Sequence, residues 1–368
     1  MRKILLLLAL AGGSVAFAQP LQLPSAPSEL SDSVSTSVSV KGSSYFYNYE
    51  YFKNTAKGYT QPGFSLVSTL QLQLGNKLLL GAGAHLKKYW GTAPFGEVEP
   101  VVFARYEAAK NFFVQVGTLE SSNGHLLSEV LYNPLHMVDY RQENGLQLRY
   151  FGSSVFAEAW VSWEHYIKEG DNDQEQLTAG GSLMFQLLPE QSSWELNVPV
   201  QLVFKHIGGQ INDKTDPNKK VRTMSNLSLG LQLAYKLDSK GKRLGILVQP
   251  IKFNDSYDKK PVKGNSGNGA IATTLFYGSP SLDVRIGHLY SRNFYSILGD
   301  QVYNNITFDY STIDDKRSMY SGALSYHKQA YRGVQFRFDT AAYYDPSYSD
   351  VDYFYGVGVI FDLSYRVR

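Results

Sequence analysis

Residues Trp194–Phe204 read WELNVPVQLVF. Trp194, Leu196, Val198, Val200, Leu202 and Phe204 share one side of an extended chain, while Glu195, Asn197 and Gln201, with Lys205 just beyond, share the other. Successive strand side chains point to opposite faces, so this spacing predicts a strand with one apolar and one polar face. Phe64–Leu74, Leu227–Tyr235 and Val334–Phe338 repeat the alternation. The full segments run to about ten residues, the length a tilted strand needs to cross a bilayer. Strands of a soluble sandwich usually stop at about five or six residues. An almost purely apolar face opposite a small or polar one therefore points to lipid on one side and a lumen on the other.

Composition supports this reading. The 368 residues are 43% hydrophobic, 14% aromatic and only 18% charged, with 27 Tyr, 20 Phe and 32 Gly. That supply favours strands and turns and excludes a disordered chain. Of the +2 formal charge, both positive residues in excess are Arg2 and Lys3; beyond residue 18 the 33 remaining Lys and Arg balance 33 Asp and Glu. With no basic cluster, nucleic acid is not an expected partner. The absence of cysteine removes disulfides, thiolate metal sites and cysteine nucleophiles.

Arg2-Lys3, the apolar run Ile4–Ala11 and Ala16-Phe17-Ala18 have the three-part form of a cleaved signal peptide over residues 1–18. Residues 19–44, rich in Ser, Pro and Gln, are expected to be a periplasmic or lumen-tucked segment, and residues 45–368 a transmembrane barrel. No later stretch is apolar enough for a membrane helix. Long and short connections alternate: Asn54–Gly63 precedes Gly75–Lys77, Gly91–Gly96 precedes Ala109–Asn111, and Glu120–Gln142 precedes Gly152-Ser153. Long outer loops and tight periplasmic turns are the habit of outer-membrane barrels. The segments count to seventeen, but both ends of a bacterial barrel return to the periplasm, so the number is even. The expectation is all-β: a transmembrane antiparallel β-barrel of about 16 strands, within 14–18. The alternation of loop lengths fails through 293–302 and 311–317. Aromatics suggest two girdles, with Trp194, Tyr235, Tyr353 and Tyr365 at one end and Trp90, Trp163, Tyr290 and Phe204 at the other.

On the strength of Ala16-Phe17-Ala18, the alternating strands and the final stretch Tyr353–Val367, the chain resembles porin-like outer-membrane β-barrel proteins. It ends Val367-Arg368, whereas such proteins usually end in an outward aromatic. His125–Tyr132 followed by Tyr140–Leu146 looks like barrel proteins of the Bacteroidota lineage. The resemblance implies a Gram-negative cell outer membrane, with lipid and lipopolysaccharide as partners, and other outer-membrane or periplasmic proteins as further ones.

The search for chemistry finds little. The seven histidines show no ligand-spaced pair, and neither a metal nor a cofactor is expected. Ser162 and His165 lie near an outer rim, but three apart in a strand they face opposite sides. No nucleophile, base and orienter converge, so no catalytic residue and no enzyme are expected. Arg105, Glu107, Arg149, Glu158, Lys205, Asp283, Arg285, Arg337 and Asp339 all oppose the apolar set, as lumen-lining charges that either filter solutes or brace a plugged barrel. The loop Glu120–Gln142 is too apolar for a free surface loop; His125, Glu129, Leu131 and Tyr132 mark it as an inward constriction or a protein-docking surface. The functional expectation is a passive porin-like channel for small hydrophilic solutes, with a non-conducting barrel that scaffolds an assembly or secretion complex as the alternative.

Overall fold

The computed structural model describes residues 21–27, 30, 32–171, 173–208, 221–256 and 268–367. The expected signal peptide lies outside them. Strands are β1 (Ser35–Glu50), β2 (Tyr59–Leu74), β3 (Leu78–Tyr89), β4 (Glu97–Ala109), β5 (Phe112–Thr118), β6 (Asn144–Phe151), β7 (Val155–His165), β8 (Gln176–Gln186) and β9 (Trp194–Ile207). They continue as β10 (Arg222–Leu229), β11 (Leu231–Lys236), β12 (Arg243–Asp255), β13 (Gly269–Gly278), β14 (Leu282–Arg292), β15 (Lys316–Tyr331), β16 (Val334–Tyr344) and β17 (Val351–Arg366). All pairings between these strands are antiparallel, and β17 returns to pair with β1, closing the sheet on itself.

Seventeen segments make sixteen crossings. β10 and β11 both pair with β9 and β12 and are separated by Gly230 alone. The break has a local cause in Pro199 of β9, which has no N–H to give the ladder. Gly230 N donates to the Pro199 carbonyl at 2.7 Å, and a Cβ on Gly230 would stand 2.8 Å from Pro199 Cγ.

Two expectations are corrected here. The barrel wall begins at Ser35, ten residues before the expected boundary at 45, because Ser35, Ser39 and Ser43 are inward, buried wall residues whose small size reads in sequence as a linker. Tyr353 belongs to the girdle at the long-loop end, since it stands near the start of the descending β17. Outward Tyr290, Tyr320, Tyr344, Tyr353 and Tyr355 are exposed at that end, and Trp194, Tyr235 and Tyr365 at the other.

The inside of the ring is packed. Residues 119–143, between β5 and β6, and 293–315, between β14 and β15, fold into the lumen. The first carries a short helix, α1 (Leu135–Val138). Leu131, Val138, Phe294, Val302 and Ile306 are essentially buried, in one cluster with wall residues Tyr45, Trp160, Phe253, Met319 and Tyr343 from strands all around the ring. Burying a side chain of this size contributes about 2 kcal/mol. Nearer the other end, Leu21 packs with Phe113, Phe156, Met184 and Phe276, and Gln232 Nε2 donates to its carbonyl at 2.8 Å.

Segments with so little regular structure need partners for their peptide groups. They find each other: Asn133 N donates to the Leu298 carbonyl at 2.7 Å, and Tyr303 Oη to Glu129 Oε1 at 2.8 Å. They also find the wall, where the buried Arg317 guanidinium donates to the carbonyls of Val302 at 2.6 Å and Asn304 at 2.8 Å and pairs with Asp345 at 2.8 Å. Removing one partner of such a buried pair costs about 3–5 kcal/mol. Arg317→Ala is therefore expected to lower stability by about 3 kcal/mol, read from the urea midpoint in detergent; a loss below about 1 kcal/mol would contradict the anchoring role.

Candidate functional site

Inside the barrel the most concentrated group is His125. It sits in a left-handed turn with φ of 53°, followed by Leu126 at 54°. Such backbone costs about 1 kcal/mol per residue or more in non-glycine positions. Asn123 Oδ1 offsets part of it by accepting from His125 N at 3.2 Å. The imidazole is fully buried, stacked on Trp160 at 4.3 Å between ring centroids, and held at both nitrogens: Nδ1 to Glu158 Oε1 and Nε2 to Glu143 Oε2, each at 2.5 Å. Burial alone would lower its pKa, but the two carboxylates outweigh that and raise it to about 10. Both imidazole nitrogens are committed to carboxylates, and the nearby Ser182 hydroxyl is spent on the His125 carbonyl at 2.7 Å. It is a latch that ties the first loop to the wall.

All nine expected lumen charges face inward. Glu158 holds His125, Arg285 pairs with Glu129, Arg337 pairs with Asp339 at 2.6 Å, and Lys205 pairs with Glu164 at 2.7 Å. Asp283 lies 3.9 Å from His327, and Glu107 accepts from Asn111 N at 3.0 Å. The guanidiniums of Arg105 and Arg149 lie over Phe113 and Phe151. They are spread along the wall, with Arg149 opposite Glu158 in register and Asp283 and Asp339 on either side of Ser325. Of the loop candidates, His125, Leu131 and Tyr132 are buried inside the ring and Glu129 is bound to Arg285 and Tyr303, so the loop takes the inward of its two expected positions, with these side chains against the lumen wall. A cavity of about 280 Å³ remains at the long-loop end, between Tyr59, His136, Arg141 and the segment Tyr295–Gln301.

Among the described residues two serine–histidine pairs occur in hydrogen-bond contact, and proton placement separates them. Ser65 Oγ lies 2.8 Å from His85 Nε2 and also donates to the Asp139 carbonyl at 2.7 Å. A hydroxyl has one proton, so His85 must donate to Ser65 and cannot act as its base. Both residues are fully buried beneath the first loop. This pair is structural.

The second pair is on the outside. In β14 the inward residues are Asp283, Arg285, Leu289 and Ser291, which places His288 on the lipid face between Ile286 and Tyr290. In β15 the inward residues are Arg317 and Met319, which places Ser318 on the lipid face beside Tyr320. His288 Nε2 and Ser318 Oγ are 2.9 Å apart, and the imidazole lies 4.9 Å from the Tyr320 ring. This is the only bond seen for Ser318 Oγ among the described residues, so its proton is available to Nε2. His288 is directly opposite Thr273 and Tyr320, and neither supplies the orienting carboxylate of a three-member relay. Both residues are half-buried and level with the aromatic girdle, where headgroup meets hydrocarbon.

Sequence reasoning missed this pair. Its signal was a histidine and a serine on otherwise apolar faces, but their contact spans thirty residues and a loop that the alternation of loop lengths did not parse. The pair weighed instead, Ser162 and His165, does not meet. Ser162 is turned inward and accepts from Asn144 N at 3.1 Å, and His165 lies past a bulge, 3.7 Å from Asp173.

The sequence model of the family described as lipid A 3'-O-deacylase-type matches residues 28–368. The chain belongs to this family. That description names an enzyme activity, and the expectation of a barrel without one is corrected by it. Solved structures of similar fold include the outer membrane protein OprD from Pseudomonas aeruginosa, 12% identical over 95% of this chain and 98% of that one, with a TM-score of 0.51. OpdL of the same organism is 14% identical over 91% and 99%, with a TM-score of 0.50, and OccK5 (OpdH) is 12% identical over 91% and 99%, with a TM-score of 0.51. At this identity they show a shared porin-like barrel fold. No curated protein matches the chain in sequence.

The latch generates a pH prediction. A group whose folded pKa is raised contributes stability that is complete below its unfolded value, near 6.5, and is lost as pH climbs through the folded one. Protection factors of amides in residues 119–143, taken relative to the intrinsic base-catalysed rate, should therefore fall between pH 7 and pH 10.5, and His125→Phe should flatten that fall. Unchanged protection across the range would contradict the latch.

Proposed function

We propose that the protein is a membrane-embedded ester hydrolase that removes a fatty acyl chain from a glycolipid of the lipid A class. One observation carries this reading: a nucleophile-capable Ser318–His288 pair faces lipid at girdle depth, where acyl esters of a glycolipid lie. Membership of a family named for deacylation supports it.

The chemistry follows from the geometry. Ser318 Oγ attacks the ester carbonyl while His288 Nε2 takes its proton; the imidazolium then gives that proton to the departing sugar oxygen, leaving an acyl-serine. Water enters from the headgroup layer, His288 takes its proton, and the fatty acid leaves with serine restored. Without an orienting carboxylate turnover is slow, which a substrate concentrated in the same membrane tolerates. On this reading the barrel sits in the cell outer membrane and its partners are lipid and lipopolysaccharide.

Mass analysis of lipid from membranes carrying the protein should show loss of one acyl chain. Ser318→Ala should abolish that loss and His288→Asn should slow it by about 10²–10⁴-fold, the usual worth of a general base. Undiminished acyl release by Ser318→Ala would overturn the assignment.

A second reading, a passive channel for small hydrophilic solutes, is favoured by the charged inner wall, where Arg105 and Arg149 stack on aromatic rings outside any close ion pair. It requires the in-folded loops to move. In planar bilayers the wild-type protein should give no resolved conductance steps; regular steps would favour the channel over the hydrolase.

A further inference from the structure

The cavity of about 280 Å³ at the long-loop end lies where three parts of the chain meet: Tyr59 at the start of β2, residues 133–141 of the first in-folded loop and residues 295–304 of the second. A water molecule takes about 30 Å³, so the space holds about nine waters, or one six-membered ring with its substituents. Its lining is fixed before anything enters. Asn133 Oδ1 accepts from Leu135 N at 2.9 Å, and Asn304 Oδ1 from Ser296 N at 2.8 Å. Gln301 Oε1 accepts from Lys57 N at 3.3 Å, and Asp300 Oδ1 from Val302 N at 3.0 Å. The backbone thus orients three carboxamides, which are N–H donors, and a carboxylate, which is an acceptor. The Tyr59 ring is stacked on Tyr49 at 4.6 Å between centroids, which fixes its plane.

Charge decides between ligand classes. Among the described residues the lining carries one guanidinium, Arg141, against one carboxylate, Asp300. Burial, with Arg141 and Lys87 nearby, lowers the pKa of the lining His136 to about 3, so it is neutral. A balanced lining favours neither an anion nor a cation, and amides covered by an apolar ligand would lose their hydrogen bonds. What fits is a neutral ring carrying several hydroxyls, each of which both donates and accepts.

We propose that this cavity binds one ring of a free, neutral sugar entering from the long-loop end, with its hydroxyls on the carboxamides and Asp300 and a C–H face on Tyr59. The sugar bridges both in-folded loops, so its binding also holds the plug in place. The inference goes beyond the hydrolase reading and does not need it, because the cavity is inside the ring whereas His288 and Ser318 face lipid. About twelve non-hydrogen atoms at ordinary ligand efficiency give a Kd on the order of millimolar.

The test uses the whole protein in a sugar-free zwitterionic detergent, titrated with glucose, galactose, mannose and N-acetylglucosamine and followed by calorimetry and amide exchange. At least one sugar should bind, and at about ten times its Kd, protection should rise about elevenfold wherever exchange in residues 119–143 and 293–315 needs the cavity to open. Asp300→Asn keeps the oxygen that accepts from Val302 N and should weaken binding about tenfold, since a charge-assisted hydrogen bond becomes a neutral one. Tyr59→Ala should weaken it as well, and heat-modifiable gel migration checks that both variants fold. Ser318→Ala should bind the sugar as the wild type does, which separates this outcome from the fate of the hydrolase reading. Binding of none of the four sugars, equal binding of alanine, glutamate or arginine, or unchanged affinity in both folded variants overturns the proposal. If glycosylated lipids bind in nanodiscs while no free sugar does, the contact lies on the lipid face and the proposal fails.

Discussion

The pairing of β1 with β17, from Ser37 opposite Arg366 to Glu50 opposite Tyr353, is the constraint on which the rest depends. Hydrocarbon offers no hydrogen-bond partner, and each unsatisfied peptide group there costs several kcal/mol, so a sheet in lipid must have no edge. Closure gives every strand an inside and an outside. Apolar side chains must then cover the outside, and a polar group placed there needs a reason. That is why His288 and Ser318 carry information that the many inward polar residues do not.

A ring of sixteen strands is too wide for its own side chains to fill. Here loops fill it, and the inner wall provides for their peptide groups. Ser182 Oγ donates to the His125 carbonyl at 2.7 Å, Gln201 Nε2 to the Leu126 carbonyl at 2.7 Å, and Gln147 Nε2 to the Glu120 carbonyl at 2.9 Å. Asn226 both donates to the Tyr295 carbonyl and accepts from Ile297 N, each at 2.9 Å. A polar inner wall is therefore explained by a plug as fully as by water, and inward charge alone does not identify a conduction path.

Trp194–Phe204 and its counterparts revealed the class of fold because a period of two over ten residues is written in residue order. The apolar character of Glu120–Gln142 likewise revealed a loop that must be covered, though its direction was left between lumen and partner. Three things were not legible. Ser35–Ser43 is wall built from residues too small to show which face they occupy. Residues 293–315 form no strand, and the apolar side chains of their buried part, Phe294–Ile306, imitate a crossing. The contact of His288 with Ser318 depends on register across that misparsed loop, and no local motif marks it. The family match overturns the expectation of no enzyme; that expectation compared residues within a strand, whereas His288 and Ser318 meet between strands.

The proposed hydrolysis requires that Ser318 is activated by His288 at the lipid face. A serine-reactive fluorophosphonate lipid probe, applied to the protein in nanodiscs and followed by peptide mapping, addresses it without depending on the identity of the glycolipid. An activated Ser318 should give a single adduct there that His288→Ala largely abolishes. An adduct on another serine, or none on Ser318 under conditions where the barrel remains folded, would contradict it.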